Sequence, residues 1–190
     1  MRFAKGHKEQ TKQRIIETAA TKFRRDGVAA TGIAGLMAEA GLTHGGFYAH
    51  FSSKEDLVSQ ALAAALDQNA ARRTHESVEA LIRRYLCPAH RDTPEQGCAT
   101  AALVSEIARH EPETRATFTA RLRTQLAQIT SALPPETDEA ARERLAIGLF
   151  GVMLGCLQMA RAVNDPAFSD KILESGVEAA RKLAGLPEKQ

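Results

Sequence analysis

Phe47 and Phe51 are four residues apart and fall on one side of a helix, which leaves His44, Gly45, Tyr48 and His50 on other faces. A short segment that begins with Thr43 as its cap would turn these polar side chains and bare backbone outward. Its chemistry suits recognition of a nucleic-acid duplex. An open helix N-terminus favours a phosphate, and His44, Gly45, Gly46 and the methyl or hydroxyl of Thr43 are of a size to meet base edges in a groove. The two adjacent glycines let the backbone approach closely but lower helicity, so a recognition helix over Thr43 to His50 is expected to fray when free.

The elements that would hold this segment can be traced on either side of it. Ile33, Leu36, Met37 and Ala40 repeat at helical spacing, with Thr31 as a possible cap and Gly41 as the stop. Two short helices around a glycine turn make a helix-turn-helix. An earlier helix from about Lys8 to Asp26 carries Ile15, Ile16, Ala19, Ala20 and Phe23, ends at Gly27, and closes a three-helix head with Phe47, Phe51, Leu36 and Leu42. Either Ser52-x-x-Glu55 or Ser53-x-x-Asp56 can open the next helix, which runs through Leu57, Val58, Ala61, Leu62, Ala65 and Leu66 to about Arg73.

The stretch GFYAHFSSKEDL, Gly46 to Leu57, together with AGLT at Ala40 to Thr43, resembles the N-terminal domain of the TetR family of transcriptional repressors. The resemblance covers about the first third of the chain. It implies a DNA-binding domain over residues 1–53 and a ligand-binding and dimerisation domain over 54–190. It also implies that Tyr48, His50 and Lys54, with Thr31, contact phosphates, and that the protein is a homodimer on a palindromic operator, released by a small-molecule effector. The paired glycines depart from the commoner family pattern, which has one.

Composition agrees with an all-α chain. There is no Trp, aromatic residues are few, and Leu, Ala, Ile, Val and Met must build the core. The net charge is only +2, but the first 25 residues hold six more basic than acidic side chains, which leaves the remainder at −4. A basic end on a mildly acidic body suits a protein that grips phosphates at that end, with a mobile basic arm over Met1 to His7. Three cysteines without framework spacing and no charged-then-apolar leader point to the cytoplasm. The apolar run Leu145 to Ala160 falls short of the ~20 residues that span a bilayer, so it is expected to be a buried helix with no membrane role.

The body is expected to be helical over Ser77–Leu86, Cys98–His110, Pro112–Leu133, Asp138–Val163 and Ser169–Ala184, with CPAHRDTPEQG as a loop. About nine helices result in all. By resemblance, Leu62, Leu66, Tyr85, Leu103, Phe118 and Leu122 are the candidate effector lining, the alternative being ordinary core packing. Cys98, after Gly97 at a helix start, could instead be an oxidant- or electrophile-sensing thiolate. Gly148, Gly151 and Gly155 share one helix face, where close approach of another backbone would justify them. With Val152, Leu173 and Val177 they are assigned to the dimer interface, the alternative being close packing within the chain. Cys87-x-x-His90 with Cys98 lacks a fourth metal ligand, no cofactor is implied, and the G-x-S-x-G, H-E-x-x-H, Walker and dinucleotide signatures of an enzyme are missing.

Overall fold

The first two helices end at glycines. The computed structural model describes residues 5–71, 76–134 and 138–187, so most of the basic arm, the last residues before Arg73 and Pro135 lie outside them. Among the described residues there is no strand. Helix α1 (Lys5–Asp26) stops at Gly27, whose φ of +84° suits glycine and whose N–H donates to the Phe23 carbonyl at 2.9 Å. Helix α2 (Ile33–Glu39) ends in a Schellman motif. Gly41, at φ +71°, donates to Ala38, and Leu42 reaches back to the Met37 carbonyl.

Two expectations for this region need correction. The residue that caps α2 is Gly32, not Thr31; Thr31 is 2% exposed and its hydroxyl donates to the Gly27 carbonyl at 2.7 Å, stapling the preceding turn. The segment after Gly41 is a 3-10 helix, His44–Ala49, rather than an α-helix. Thr43 holds the cap position in extended backbone but gives no side-chain hydrogen bond, and two glycines follow within the first turn, so little favours the wider α-helical ring.

Helix α3 (Lys54–Ala71) begins with Ser53, whose hydroxyl accepts the Asp56 N–H at 3.0 Å, while the Asp56 carboxylate accepts the Ser52 N–H at 2.9 Å. Of the two capping pairs, Ser53 with Asp56 is therefore the one used.

The chain divides into two compact units, 1–69 with 95–121, and 70–94 with 122–190. In the first, one apolar cluster joins Ile15, Phe23, Leu36, Phe47 and Phe51 to Leu57, Leu62 and Leu66 of α3 and to Ala99, Leu103 and Ile107 of α6 (Ala99–Ile107). One long helix with two short elements exposes too much apolar surface to seal a core alone, and α3 and α6 complete it. The division by packing thus runs beyond residue 53.

The second unit contains α4 (Val78–Tyr85), α5 (Pro88–Asp92), α8 (Glu139–Ala162) and α9 (Pro166–Leu183); α7 (Pro112–Ala132) contributes to both units. Ser77, Asp138 and Asp165 cap α4, α8 and α9 by accepting the N–H of Ala80, Ala141 and Phe168. The short α5 lies inside the stretch expected to be a loop, started by Pro88 and followed by a 3-10 turn at Pro94–Gln96. Helices α8 and α9 pack as a hairpin, closed where the Ser169 hydroxyl donates to the Ala160 carbonyl at 2.6 Å. By length and composition α8 could cross a bilayer, but one face is core (Ala146, Leu149, Phe150, Met153, Leu157) while Ile147 and Met159 are exposed. The expected buried helix is thus buried along one face only.

Candidate nucleic-acid interface

The 3-10 segment sorts its residues by face. Phe47 and Phe51 are fully buried and stacked, with ring centroids 5.4 Å apart, and they anchor the segment on Leu36, Met37 and α3. Tyr48 stands on the outside of this anchor at 66% exposure, its ring meeting Phe47 edge-on at 5.1 Å. Thr43, His44 and Gly45 are exposed beside it, and Gly46 is half-buried over the Met37 methyl. A rigid apolar floor with a phenol, an imidazole and open backbone above it is the arrangement that groove recognition requires.

The flanking donors are less uniform. Lys54 starts α3, yet its Nζ donates to the Val28 carbonyl at 2.8 Å, so one of its three protons is already used within the head. Thr31, expected at the phosphates, is enclosed and its hydroxyl is committed to Gly27, which removes its side chain from the surface. His50 is half-buried. Burial first, and then the positive charges of Lys8 and Lys12, hold its imidazole below the ordinary value.

The basic excess of the first 25 residues also divides along α1. Near its C-terminus Lys22 pairs with Glu39 (2.9 Å) and Asp26 (3.1 Å), and Arg25 with Asp26 (2.9 Å) and Glu39 (3.3 Å). These bonds, led by that from Arg25, pull the Asp26 carboxyl down to about 2. Two of the three cations at that end of the helix are therefore paired with carboxylates. Lys8 and Lys12 lie at the other end, beside His50, with the Lys12 Nζ 5.5 Å from the centre of the Phe51 ring. Spacing along the chain gives no hint of this pairing, because it depends on how α1 folds back over the 3-10 segment.

The expected effector-lining residues divide between the two units. Leu62, Leu66 and Leu103 are buried in the first unit's apolar cluster and Phe118 packs against it. Tyr85 and Leu122 belong to the second unit, where Tyr85 is buried edge-on to His90 (4.7 Å) and Phe150 (5.9 Å). Cys98 is 3% exposed and takes the cap position of α6 without a side-chain capping bond. Three clefts, of about 690, 310 and 260 Å³, are lined by other and mostly polar residues, among them Glu55, Asp56 and Glu111, Arg91 and Arg161, and Glu106 and Arg109. His90 directs Nδ1 to the Tyr85 carbonyl at 2.7 Å and Cys87 directs its thiol to the Arg84 carbonyl.

The glycines of α8 behave differently from one in α9. A Cβ added at Gly148, Gly151 or Gly155 meets nothing within 4 Å among the described residues. Val152 and Val177 are half-buried, whereas Leu173 is buried in its own unit and is a core residue rather than an interface one. Close approach is found instead at Gly176 of α9, where a Cβ would lie 2.8 Å from the Cys156 Cβ.

Residues 15–61, which contain the whole of this arrangement except the Lys8 and Lys12 contacts, match the model of bacterial regulatory proteins of the tetR family. Over that stretch the chain is similar to the tetR family of bacterial regulatory proteins. A TetR-family transcriptional regulator structure from Chloroflexus aurantiacus is 25% identical, with a TM-score of 0.73 over 94% of each chain. An uncharacterized HTH-type transcriptional regulator of Bacillus subtilis, YfiR, is 34% identical over 86 residues, 43% of this chain and 42% of the relative. The chain thus spans less than half the length of the curated relatives it matches. The structure of AibR in complex with isovaleryl coenzyme A and operator DNA shares the fold, at 20% identity and a TM-score of 0.61 over 89% of this chain and 97% of that one. Within the matched stretch the buried Phe47 and Phe51 are scaffold, and Tyr48 faces outward.

Proposed function

We propose that this chain is a sequence-specific DNA-binding transcriptional regulator of the cytoplasm, acting as a homodimeric repressor that a small organic effector releases. One observation carries the reading: Tyr48 stands 66% exposed on a floor of buried Phe47 and Phe51, flanked by exposed Thr43, His44 and Gly45. Gly45 and Gly46 leave room for base edges, the hydroxyl of Tyr48 and the ring of His50 reach for phosphates, and Lys54 adds a point charge with the protons that Val28 does not use. AibR, which shares the fold, is held with both an acyl-coenzyme A and operator DNA, and it supports the pairing of effector and operator proposed here.

The dimer reading rests on the outer face of α8. Ile147 and Met159 are 51% and 53% exposed, and between them Gly148, Gly151 and Gly155 lie open to a neighbour from outside the chain. A second copy meeting this face would pair two heads on a two-fold site. No catalytic role is assigned, since the polar side chains of the head are donors without a nucleophile-and-base pair.

Selection of bound duplexes from a random pool tests the function directly, and enrichment of a palindrome is the expected result. Tyr48→Phe is expected to weaken binding to that duplex, and Lys54→Ala to lower the salt slope by about one. Failure to enrich any sequence overturns the reading. Sedimentation is expected to give a dimer for the wild type and a folded monomer for Gly151→Leu.

A further inference from the structure

The cleft of about 260 Å³ lies within the first unit, where the turn between α1 and α2, the start of α3 and the end of α6 converge. None of its residues is among those expected to line an effector site. Val28, Ala29 and Val58 give it an apolar wall, and Lys54, Arg109 and His110 stand beside the carboxylates of Glu55 and Glu106. The carboxylates are already engaged. Glu55 is held by His110 Nδ1 at 2.9 Å and accepts the Thr114 hydroxyl at 2.6 Å, and Glu106 accepts the Ala29 N–H at 2.9 Å. The two permanent cations are less committed. Lys54 directs one of its three protons to the Val28 carbonyl at 2.8 Å, and the exposed Arg109 guanidinium has no hydrogen bond or ion pair among the described residues. The cleft thus holds a surplus of charged donors next to apolar surface.

We propose that this cleft binds a small monocarboxylate with a short apolar chain, the carboxylate joined to Arg109 and Lys54 and the chain lying on Val28, Ala29 and Val58. The planar guanidinium fork matches the two oxygens of a carboxylate, and Lys54 adds a point charge beside it. Glu55 and Glu106 stand in the same wall, so a second negative charge on the occupant is repelled, and a phosphate dianion fits less well than a carboxylate. The volume lies below the roughly 300 to 1,000 Å³ of sites for drug-sized ligands, which limits the chain to a few carbons.

Occupation has a consequence for the duplex, and this part rests on the DNA-binding reading above. An ammonium neutralised by the occupant no longer offers its charge to a backbone phosphate, so the carboxylate weakens duplex binding. Coupling is reciprocal, and bound duplex lowers the affinity of the cleft for the carboxylate by the same factor.

The test follows the backbone amide NMR shifts of the full chain on titration with sodium butyrate, sodium acetate, butylamine hydrochloride and inorganic phosphate, at an ionic strength held constant with sodium chloride. Butyrate is expected to move the Ala29 and Arg109 amides saturably, and to bind more tightly than acetate by about fourfold for each CH₂ that the apolar wall covers. Arg109→Gln changes an exposed residue outside the proposed duplex contacts. It is expected to weaken butyrate binding roughly tenfold and to leave duplex binding without butyrate unchanged. With the wild type, saturating butyrate is expected to weaken duplex binding and to lower its salt slope by about one, and Arg109→Gln to blunt both effects. Shifts that grow without saturating overturn the proposal, as does equal butyrate affinity in wild type and Arg109→Gln. Inorganic phosphate or butylamine binding at the same amides as tightly as butyrate overturns the assignment to a monocarboxylate. Saturable butyrate binding with an unaltered duplex salt slope overturns the link through Lys54. If the wild type binds no duplex even without butyrate, the DNA-binding reading falls, and the amide titration alone decides the cleft.

Discussion

An added Cβ at Gly176 of α9 would lie 2.8 Å from the Cys156 Cβ, 2.9 Å from its sulfur and 3.1 Å from a Leu86 methyl, while the same addition at Gly148, Gly151 or Gly155 of α8 meets nothing within 4 Å. Both helices belong to one hairpin, and in both the residue costs roughly 0.8 to 1.0 kcal/mol relative to alanine. In α9 that cost is offset by the close approach of α8. In α8 no contact among the described residues offsets it. The comparison teaches that an interior glycine signals proximity only once its neighbour is known. The 3-10 helix provides a third case, in which Gly45 and Gly46 shape the backbone itself.

Several substitutions would break or sharpen this contrast. The largest effect is expected at the head: Phe47→Ala removes a fully buried ring and should cost about 3 to 5 kcal/mol in denaturant unfolding. Gly176→Val comes next. It forces a side chain against Cys156 and should cost about 1 to 3 kcal/mol, and an undiminished unfolding midpoint would show that α8 and α9 are not so close. Gly148→Ala should act in the other direction and raise the stability of the isolated subunit by roughly 0.8 to 1.0 kcal/mol, measured at a concentration where sedimentation shows monomer. If it destabilises instead, something within the chain fills that space. The smallest change is expected at Tyr48→Phe, within about 0.5 kcal/mol of wild-type stability, because the hydroxyl reaches solvent. A greater loss would mean that Tyr48 is part of the scaffold.

Much of the helical order is legible from local signals. Gly27, Gly41, Ser77, Asp138 and Asp165 act at helix ends through hydrogen bonds that span three or four residues, and such short-range geometry shows in spacing. Phe47 and Phe51 as anchor, with Tyr48 outward, follow from helical periodicity even though the segment proves to be 3-10. What escapes is set by distant partners. The choice of Gly32 over Thr31 depends on the Gly27 carbonyl capturing the Thr31 hydroxyl. The completion of the head's core by α6 requires Leu103 and Ile107 to meet α1 and α3. Among the expected effector-lining residues, an apolar stripe that faces a cavity and one that faces a core have the same periodicity, and Leu62, Leu66 and Leu103 belong to the core. The short α5 is hidden because Pro88 and Pro94 bracket too few residues for a periodic pattern.

The peptide stretch between α1 and α2 is held from two sides. Glu106 of α6 accepts the Ala29 N–H at 2.9 Å, and Lys54 of α3 donates a hydrogen bond to the adjoining Val28 carbonyl at 2.8 Å. Two helices thus have their hands on the same hinge pin. A sideways slip of α6 by an amount comparable to one hydrogen-bond length would either snap the Ala29 tether or haul the start of α2 along with it, and since α2 braces the 3-10 helix, the reading tip would feel the tug with hardly any slack between.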